Sequence, residues 1–211
     1  MRDAVQRGQA LSSLLDTVIE RDFYFVRNSK IRPHVLREIL VSLVVLQGEP
    51  LSVSQLARRF RLSAPSMKAI LQTFEDLFLV RNHGRALYFE DLGVAEILRE
   101  EFGGRVPVRD VEALLFSELK AIRAYTSDER VKLSDYRSRG GSTVPFILQS
   151  KSVGVVAIAV DEGDELTEKS LKGLYSFKRT SPSARLLHVH GGSRASIHHD
   201  RVLSVPVGWV V

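Results

Sequence analysis

Basic side chains cluster around one short stretch of this sequence, at residues 51–90. Between Ser52 and Tyr88 only Glu75 and Asp76 carry negative charge. Guanidinium and ammonium groups bind phosphate oxygens, so an excess of cations is typical of a nucleic-acid contact. The cations of this stretch are Arg58, Arg59, Arg61, Lys68, Arg81 and Arg85. We expect them to bind the backbone of duplex DNA in a salt-dependent manner.

Two short helices joined by a tight turn are predicted to hold most of these cations. Ser52 is a suitable N-cap for the first helix, and Gln55 stands three residues later as the second half of a capping box. Ser63 can cap the second helix. Pro65 falls in its first turn, where a missing N–H does no harm. The pattern predicts a helix-turn-helix.

A hairpin is predicted directly after the second helix. His83-Gly84 is a plausible turn, and residues 86–89 alternate in a way that suits a β-strand. Helix, turn, helix and hairpin together predict a winged helix-turn-helix. In that fold the second helix enters the major groove with its N-terminal residues leading. The residues placed to touch phosphates or base edges are Ala64, Ser66, Lys68 and Gln72.

DNA contact is one of two interpretations of this stretch, because winged helices also serve as protein-docking and oligomerisation elements. The sequence therefore leaves two classes of partner open. One is duplex DNA, and the other is a protein.

The rest of the chain predicts an α+β protein with a change of pattern near residue 105. Helical periodicity marks residues 9–27, 33–46 and 94–101, and a linker is predicted at Phe102–Pro107. Beyond it we expect helices at 109–125 and 167–178 and strands at 131–137, 143–148, 154–160, 184–189 and 202–205. The predicted domains are an N-terminal helical segment (1–32), a winged helix (33–102) and a small α/β domain (108–211).

Composition excludes several classes of protein. The chain has no cysteine, so it has neither disulfides nor a thiolate metal site, and a cytoplasmic location is expected. The longest apolar run, Ile39–Leu46, is too short to cross a bilayer, so no membrane contact is expected. No phosphate-binding loop of the Gly-x-x-x-x-Gly-Lys-Ser/Thr type occurs. We expect no nucleotide hydrolysis and no cofactor.

A group of histidines near the C-terminus could bind Zn²⁺ or Ni²⁺. His188 and His190 would share one face of a strand, and His198, His199 and Asp200 follow. We favour a polar strand edge followed by a solvated turn, because nothing in the sequence orients the imidazoles.

Other polar residues of this domain are expected to be structural. The acidic residues 161–165 are predicted to form a solvated turn. Thr167 is the predicted N-cap of the helix that follows. Ser142, Ser181 and Ser183 lack a convincing His-Asp pair, and Trp209 is expected to pack.

Four motifs, in order along nearly the whole chain, resemble a known family. They are the helix 15–22 ending in Arg21-Asp22, the Tyr-Phe-x-Asp-x-Gly run at 88–93, the helix 112–119 with Glu at both ends, and the aromatic-Arg hairpin at 135–141. The chain is similar to the C-terminal half of a group of bacterial and archaeal AAA+ ATPases. There, a winged helix and a restriction-endonuclease-like domain of unknown function follow the ATP-binding module. The resemblance implies that residues 1–32 are a remnant of the ATPase lid.

The resemblance also implies a nuclease site that this sequence has lost. Endonuclease-like folds of this type use a helix Glu, a strand Asp and a Glu-x-Lys to hold Mg²⁺ and orient water. The family's Glu-Val-Asp falls here on Thr143-Val144-Pro145, and its Glu-Val-Lys falls on Ala159-Val160-Asp161. Only Glu112 remains of the four groups. We expect a nuclease-like fold without catalysis and without a bound metal.

Three functions follow in order of preference. The first is a non-catalytic DNA-binding protein with an inactive endonuclease-like domain used for packing or partner docking. The second is an interaction or self-association module that works with a separate AAA+ ATPase. The third is a residual metal-dependent nuclease.

Overall fold

A computed structural model describes residues 2–103, 109–126, 131–198 and 201–210 of the chain. It contains both helices and a sheet, which confirms the predicted α+β class. The chain divides into two compact units, Met1–Pro107 (unit 1) and Val108–Val211 (unit 2). Part of the predicted linker, residues 104–107, lies outside the described residues.

Unit 1 is a set of helices followed by a hairpin. A single π-helical turn, Val18–Asp22, separates its first two helices, which the sequence predicted as one. The helices are α1 (Arg2–Thr17), α2 (Phe23–Val26), α3 (Pro33–Val45), α4 (Val53–Arg59), α5 (Ala64–Asp76) and α6 (Leu92–Glu101). The antiparallel hairpin is β1 (Val80–His83) with β2 (Ala86–Phe89), between α5 and α6.

The N-terminal helices share one core with helices α3 and α5. Leu15, Ile19 and Phe23 are buried in the same cluster as the apolar faces of α3 and α5. The rings of Phe23 and Phe74 lie 5.7 Å apart, which places α2 directly against α5. Burial of this apolar surface is the main source of stability in unit 1.

The guanidinium of Arg37 joins three helices of this unit. From α3 it donates two hydrogen bonds to Glu101 of α6, with Nε 3.0 Å from Oε2 and Nη2 2.5 Å from Oε1. It also donates to Asp16 of α1. A planar fork suits this bidentate geometry, and lysine could not reproduce it.

Unit 2 is a mixed six-stranded sheet with the strand order β3-β4-β5-β6-β8-β7. The pairs β5·β6 and β6·β8 are parallel, and the other pairs are antiparallel. The strands are β3 (Lys132–Arg137), β4 (Thr143–Ser150), β5 (Gly154–Asp161), β6 (Arg185–His190), β7 (Ser196–Ile197) and β8 (Val202–Pro206). Helix α7 (Asp110–Tyr125) precedes the sheet, and α8 (Glu168–Thr180) connects β5 to β6.

Helix α8 packs closely on one face of this sheet. A β-carbon at Gly173 would lie 2.1 Å from the carbonyl oxygen of Thr143, so only glycine fits there. Leu174 joins Val144, Ala157 and Ala159 in the core below the helix.

The end of the chain differs from the sequence-based expectations in two respects. The short strand β7 was not predicted, because two residues carry no periodic signal. Trp209 was expected to pack, but its side chain is 69% exposed.

Among the described residues, no helix has both the length and the apolar character needed to cross a bilayer.

Candidate nucleic-acid interface

Helices α4 and α5 are capped as the sequence predicted. The Ser52 hydroxyl accepts a hydrogen bond from the backbone N–H of Gln55 at 3.4 Å. The Ser63 hydroxyl accepts one from the N–H of Ser66 at 3.1 Å, and the two serine hydroxyls are 2.8 Å apart. Each cap satisfies a donor that has no partner within its own helix.

The turn between α4 and α5 closes around a left-handed residue. Leu62 N–H donates to the carbonyl of Ala57 at 2.9 Å, and Arg61 N–H donates to that of Arg58 at 3.2 Å. This double hydrogen bond is a Schellman motif, which requires a positive φ at its C′ residue. Arg61 takes that position with φ 54°, a conformation that glycine adopts more readily than arginine does.

Arg61→Gly is therefore expected to stabilise unit 1 and to weaken the predicted contact with DNA. Removal of the β-carbon relieves left-handed strain of about 1 kcal/mol, and loss of the cation removes one of the predicted phosphate contacts. Urea unfolding and DNA titration of the same variant measure the two effects. Arg61→Ala is the matched control, since it loses the charge but keeps the strain. A Gly variant no more stable than the Ala variant would contradict the account.

The hairpin turns one residue later than predicted. His83 pairs with Ala86, so the two-residue turn is Gly84-Arg85 rather than His83-Gly84. Gly84 has φ 58°, a conformation that two-residue hairpin turns need. The carbonyl of Arg85 accepts a hydrogen bond from Leu51 N–H at 2.8 Å, which fixes the tip of the hairpin against the start of the helix-turn-helix.

A buried glutamine anchors the base of the hairpin. Gln47 Oε1 accepts a hydrogen bond from the N–H of Phe89 at 3.1 Å. This contact was not predicted, because the two residues are far apart along the chain.

Five of the six predicted cations are exposed to solvent, and we call them the five exposed cations. Two lie in the last turn of α4, one in the following turn, one in α5 and one at the hairpin tip. They are Arg58, Arg59, Arg61, Lys68 and Arg85. The guanidinium of Arg59 also lies 5.9 Å from the centre of the Phe60 ring.

Arg81 does not belong with these cations. Its Nε lies 2.8 Å from a Glu90 carboxylate oxygen, and its Nη1 lies 3.6 Å from Glu75. Its guanidinium also lies over the ring of Phe78. Its charge is therefore compensated within the protein, and we remove it from the predicted interface. The sequence could not show this pairing, which depends on hairpin geometry.

The predicted polar contact residues are also engaged in internal hydrogen bonds. Ser66 is half-buried and its hydroxyl contacts Ser63. Gln72 is exposed, and its side-chain amide donates to Asp76 at 3.0 Å.

The predicted remnant of a nuclease site is distributed over three elements of unit 2. Thr143 and Pro145 begin β4, while Ala159 and Asp161 end β5. Because β4 and β5 are antiparallel, these four positions come to the same end of the two strands. Glu112 lies in the first turn of α7.

Both remaining carboxylates have structural contacts. Glu112 is buried and lies 3.1 Å from the guanidinium of Arg109. Asp161 accepts hydrogen bonds from the N–H and hydroxyl of Thr167, both at 3.0 Å, and from the hydroxyl of Ser170 at 3.1 Å. It thus fixes the start of α8, which Thr167 caps as predicted.

The histidines of β6 lie inside the protein, which corrects the prediction of a polar strand edge. Strand β6 is interior to the sheet, and both His188 and His190 are buried. His188 Nδ1 lies 2.7 Å from the hydroxyl of Ser204 on β8, and its Nε2 lies 3.1 Å from Asp161 Oδ2 on β5. The second contact lies outside good hydrogen-bond geometry. We call the fully buried His188 and Ser204, together with the partly buried Asp161, the buried polar triplet.

The surroundings of this triplet shift two pKa values in physically clear directions. Burial opposes ionisation of Asp161, but the close approach of the His188 ring and the hydrogen bonds from Thr167 and Ser170 prevail and lower its pKa. Burial lowers the pKa of His190, and the stacked ring of His188 lowers it further.

Glu162, which directly follows β5, shows the opposite shift in pKa. Its carboxylate accepts hydrogen bonds from the N–H groups of Val111 and Glu112 and so caps α7. Burial nevertheless raises its pKa. This cap was not predicted, because its partners are distant in sequence.

Unit 2 is expected to lose stability as the pH falls below about 6.5, the ordinary pKa of histidine. With its folded pKa depressed, His190 stays neutral while the unfolded chain takes up a proton, so its contribution is present above that pH and is lost below it. The contribution of Glu162 depends on pH in the opposite direction. Because its pKa is raised in the folded protein, its contribution to stability is present at low pH and is lost as the pH rises. Urea midpoints at several pH values measure the effect.

A matched variant isolates the part due to His190. His190→Asn removes the titrating ring, and its Oδ1 can replace Nδ1 as acceptor for the N–H of Gly192. We expect a shallower pH dependence in this variant. An unchanged slope would show that another group is responsible.

The buried polar triplet has the residue types of a hydrolase triad but no access to substrate. Ser204 and His188 are both buried, so the hydroxyl cannot meet a substrate carbonyl in this conformation. The triplet joins β5, β6 and β8 through side chains.

Within the ranges that the structure describes, no three His, Asp or Glu side chains form a group that could hold a metal ion. His198 is described, whereas His199 and Asp200 lie outside the described residues.

Comparison with known proteins gives one similarity. A family described as "Domain of unknown function (DUF8612)" matches residues 2–86, which run from α1 to the start of β2. Searches of curated proteins and of solved structures found no match to the chain. The similarity covers the helices that hold most of the interface, and the description of the family names no activity.

Proposed function

We propose that residues 33–102 are a winged helix-turn-helix and that the chain is a non-catalytic protein that binds duplex DNA through it. The observation that carries this proposal is the set of five exposed cations. They surround the turn, the second helix and the hairpin tip, which are the elements a winged helix presents to DNA.

The charge balance of this surface favours a polyanion. The acidic residues of the same stretch are directed to other partners, since Glu75 contacts Arg81 and Asn82, and Asp76 contacts Gln72. Among the described ion pairs, none involves one of the five exposed cations. Phosphate groups can therefore compensate the charges of these cations.

The docking geometry follows from the two caps and the hairpin turn. Helix α5 enters the major groove by its N-terminal half, which carries Lys68. Arg58 and Arg59, at the end of α4, lie where the first helix crosses the backbone. Arg85 at the hairpin tip reaches a neighbouring phosphate.

Unit 2 is proposed to be an endonuclease-like domain without catalysis. A threonine, a proline and an alanine stand where the resemblance places carboxylates, so the inner sphere of a hard cation has no ligands at these three positions. Asp161 stands where the resemblance places the lysine, and a carboxylate cannot replace a cationic group that orients water. Asp161 supports α8, and Glu112 pairs with Arg109. The domain then serves packing or partner docking.

A second candidate is an interaction module for a separate ATPase or for another copy of the chain. The observation that favours it is exposed aromatic surface in unit 1, where Phe25 is 92% exposed and Phe78 is 72% exposed. Copurification with an ATPase, without affinity for DNA, would support this alternative.

Titration of a fluorescently labelled duplex with the full chain tests the proposal. At about 50 mM salt we expect micromolar or tighter binding that weakens steeply as salt is added. Absence of binding at low salt would overturn it. Addition of Mg²⁺ or Mn²⁺ should leave the DNA intact. Metal-dependent cleavage that disappears in Glu112→Ala would instead support the hypothesis of a residual nuclease.

A further inference from the structure

We infer that this interface binds duplex DNA with little preference for base sequence. The inference rests on the proposed function and concerns how the same surface selects its substrate. It follows from a distinction between side chains that lie over the backbone and side chains that can reach the base edges.

Most of the five exposed cations lie where only phosphates are within reach. In a helix-turn-helix the first helix crosses the backbone, and the second enters the groove. Arg58 and Arg59 belong to the first helix, and Arg61 belongs to the turn. Phosphate contacts fix the orientation of a protein on the duplex but carry no sequence information.

The polar side chains of the second helix are poorly placed to read bases. Ser66 is half-buried, and its hydroxyl lies 2.8 Å from that of Ser63, which caps the helix. Residues 64 and 65 are alanine and proline, which offer no hydrogen-bonding side chain. The first turn of α5 therefore presents almost no donor or acceptor to the major groove.

Only Lys68 and Gln72 remain as potential readers. Lysine is a flexible point charge that contacts phosphate as readily as guanine. The side-chain amide of Gln72 donates a hydrogen bond to Asp76, one helical turn further on. If the amide turned toward a base, it would leave the Asp76 carboxylate without this partner next to the DNA. Two side chains that contact bases weakly discriminate far less between base sequences than a specific interface does. A specific interface typically prefers its own site by about 10³-fold or more.

The hairpin adds a positive charge to the interface but contributes little to discrimination between base sequences. Asn82 uses its amide and its backbone N–H to bind Glu75, and Arg81 pairs with Glu75 and Glu90. Arg85 at the tip is the exposed cation of the hairpin, and the minor groove that a tip could enter distinguishes bases poorly.

Competition between unlabelled duplexes tests the inference. A labelled mixed-sequence duplex bound to the full chain is displaced by duplexes of equal length that contain only A·T pairs, only G·C pairs or scrambled sequences. We expect all of them to compete within about tenfold of one another. Each should show a similar salt dependence, with a slope of about −4 to −5 if all five cations contact phosphate.

The outcomes separate this inference from the proposed function. Binding in which one sequence competes a hundredfold better overturns the inference and leaves DNA binding intact. If Gln72→Ala then removes the preference, the side-chain amide of Gln72 recognises a base. Failure of every duplex to bind overturns both statements. Lys68→Ala serves as an internal check, because it should weaken binding to all the duplexes by the same factor.

Discussion

Simultaneous replacement of Arg58, Arg59 and Lys68 by alanine will weaken binding to duplex DNA by on the order of a hundredfold at physiological salt. Each phosphate contact releases about 0.9 counterion, so loss of three contacts makes the slope of log K against log salt shallower by about 2.7. The three side chains are exposed, and unit 1 is expected to keep its fold. Anisotropy titrations at a series of salt concentrations measure both quantities.

A variant with the same change in net charge provides the control for this prediction. Lys169, Lys172 and Arg179 are exposed on α8 of unit 2 and lie outside the proposed winged helix. Their replacement by alanine should change affinity only slightly, because none of them belongs to the proposed set of phosphate contacts. Equal losses in the two triple variants would show that overall charge, rather than the winged helix, attracts the DNA.

His188→Ala is expected to destabilise unit 2 by about 3–5 kcal/mol. The substitution removes a buried ring and leaves a cavity. It also takes a hydrogen-bond partner from the hydroxyl of Ser204 and a close contact from the carboxylate of Asp161. Small domains have a total stability of about 5–15 kcal/mol, so the loss is a large share of it. Urea unfolding followed by circular dichroism and by the fluorescence of Trp209, the one tryptophan in the sequence, measures it.

Two milder substitutions show whether the polar contacts or the cavity dominate. Ser204→Ala removes one contact and little volume, and a loss of about 1–2 kcal/mol is expected. His188→Asn keeps a polar atom near the position of Nδ1 and should fall between Ser204→Ala and His188→Ala. A His188→Ala protein that unfolds at the wild-type urea concentration would contradict the structural role of the triplet.

Local features were the ones that the sequence predicted well. Ser52, Ser63 and Thr167 cap helices as expected, because capping depends on residue types within one turn. Helices and most strands were found near their predicted positions, since apolar periodicity is a local signal. The left-handed conformation of Arg61 was missed, because glycine is the usual sign of such a position.

Features that depend on strand order were not accessible from the sequence. His188 and His190 looked like an exposed strand edge, and only the parallel arrangement of β5, β6 and β8 makes β6 interior. The same arrangement brings Ser204 to His188, although no motif links the two residues. The pairing of Arg81 with Glu90 depends in a similar way on the hairpin register.

The most direct test of the account is a map of the backbone amides that respond to DNA. In an NMR titration of the ¹⁵N-labelled chain with a short duplex at about 50 mM salt, we predict chemical-shift changes concentrated in residues 58–68 and 84–85. Residues 109–198 and 201–210 should change little. Changes confined to unit 2, or none at a saturating concentration of duplex, would contradict the claim that a winged helix in unit 1 binds DNA.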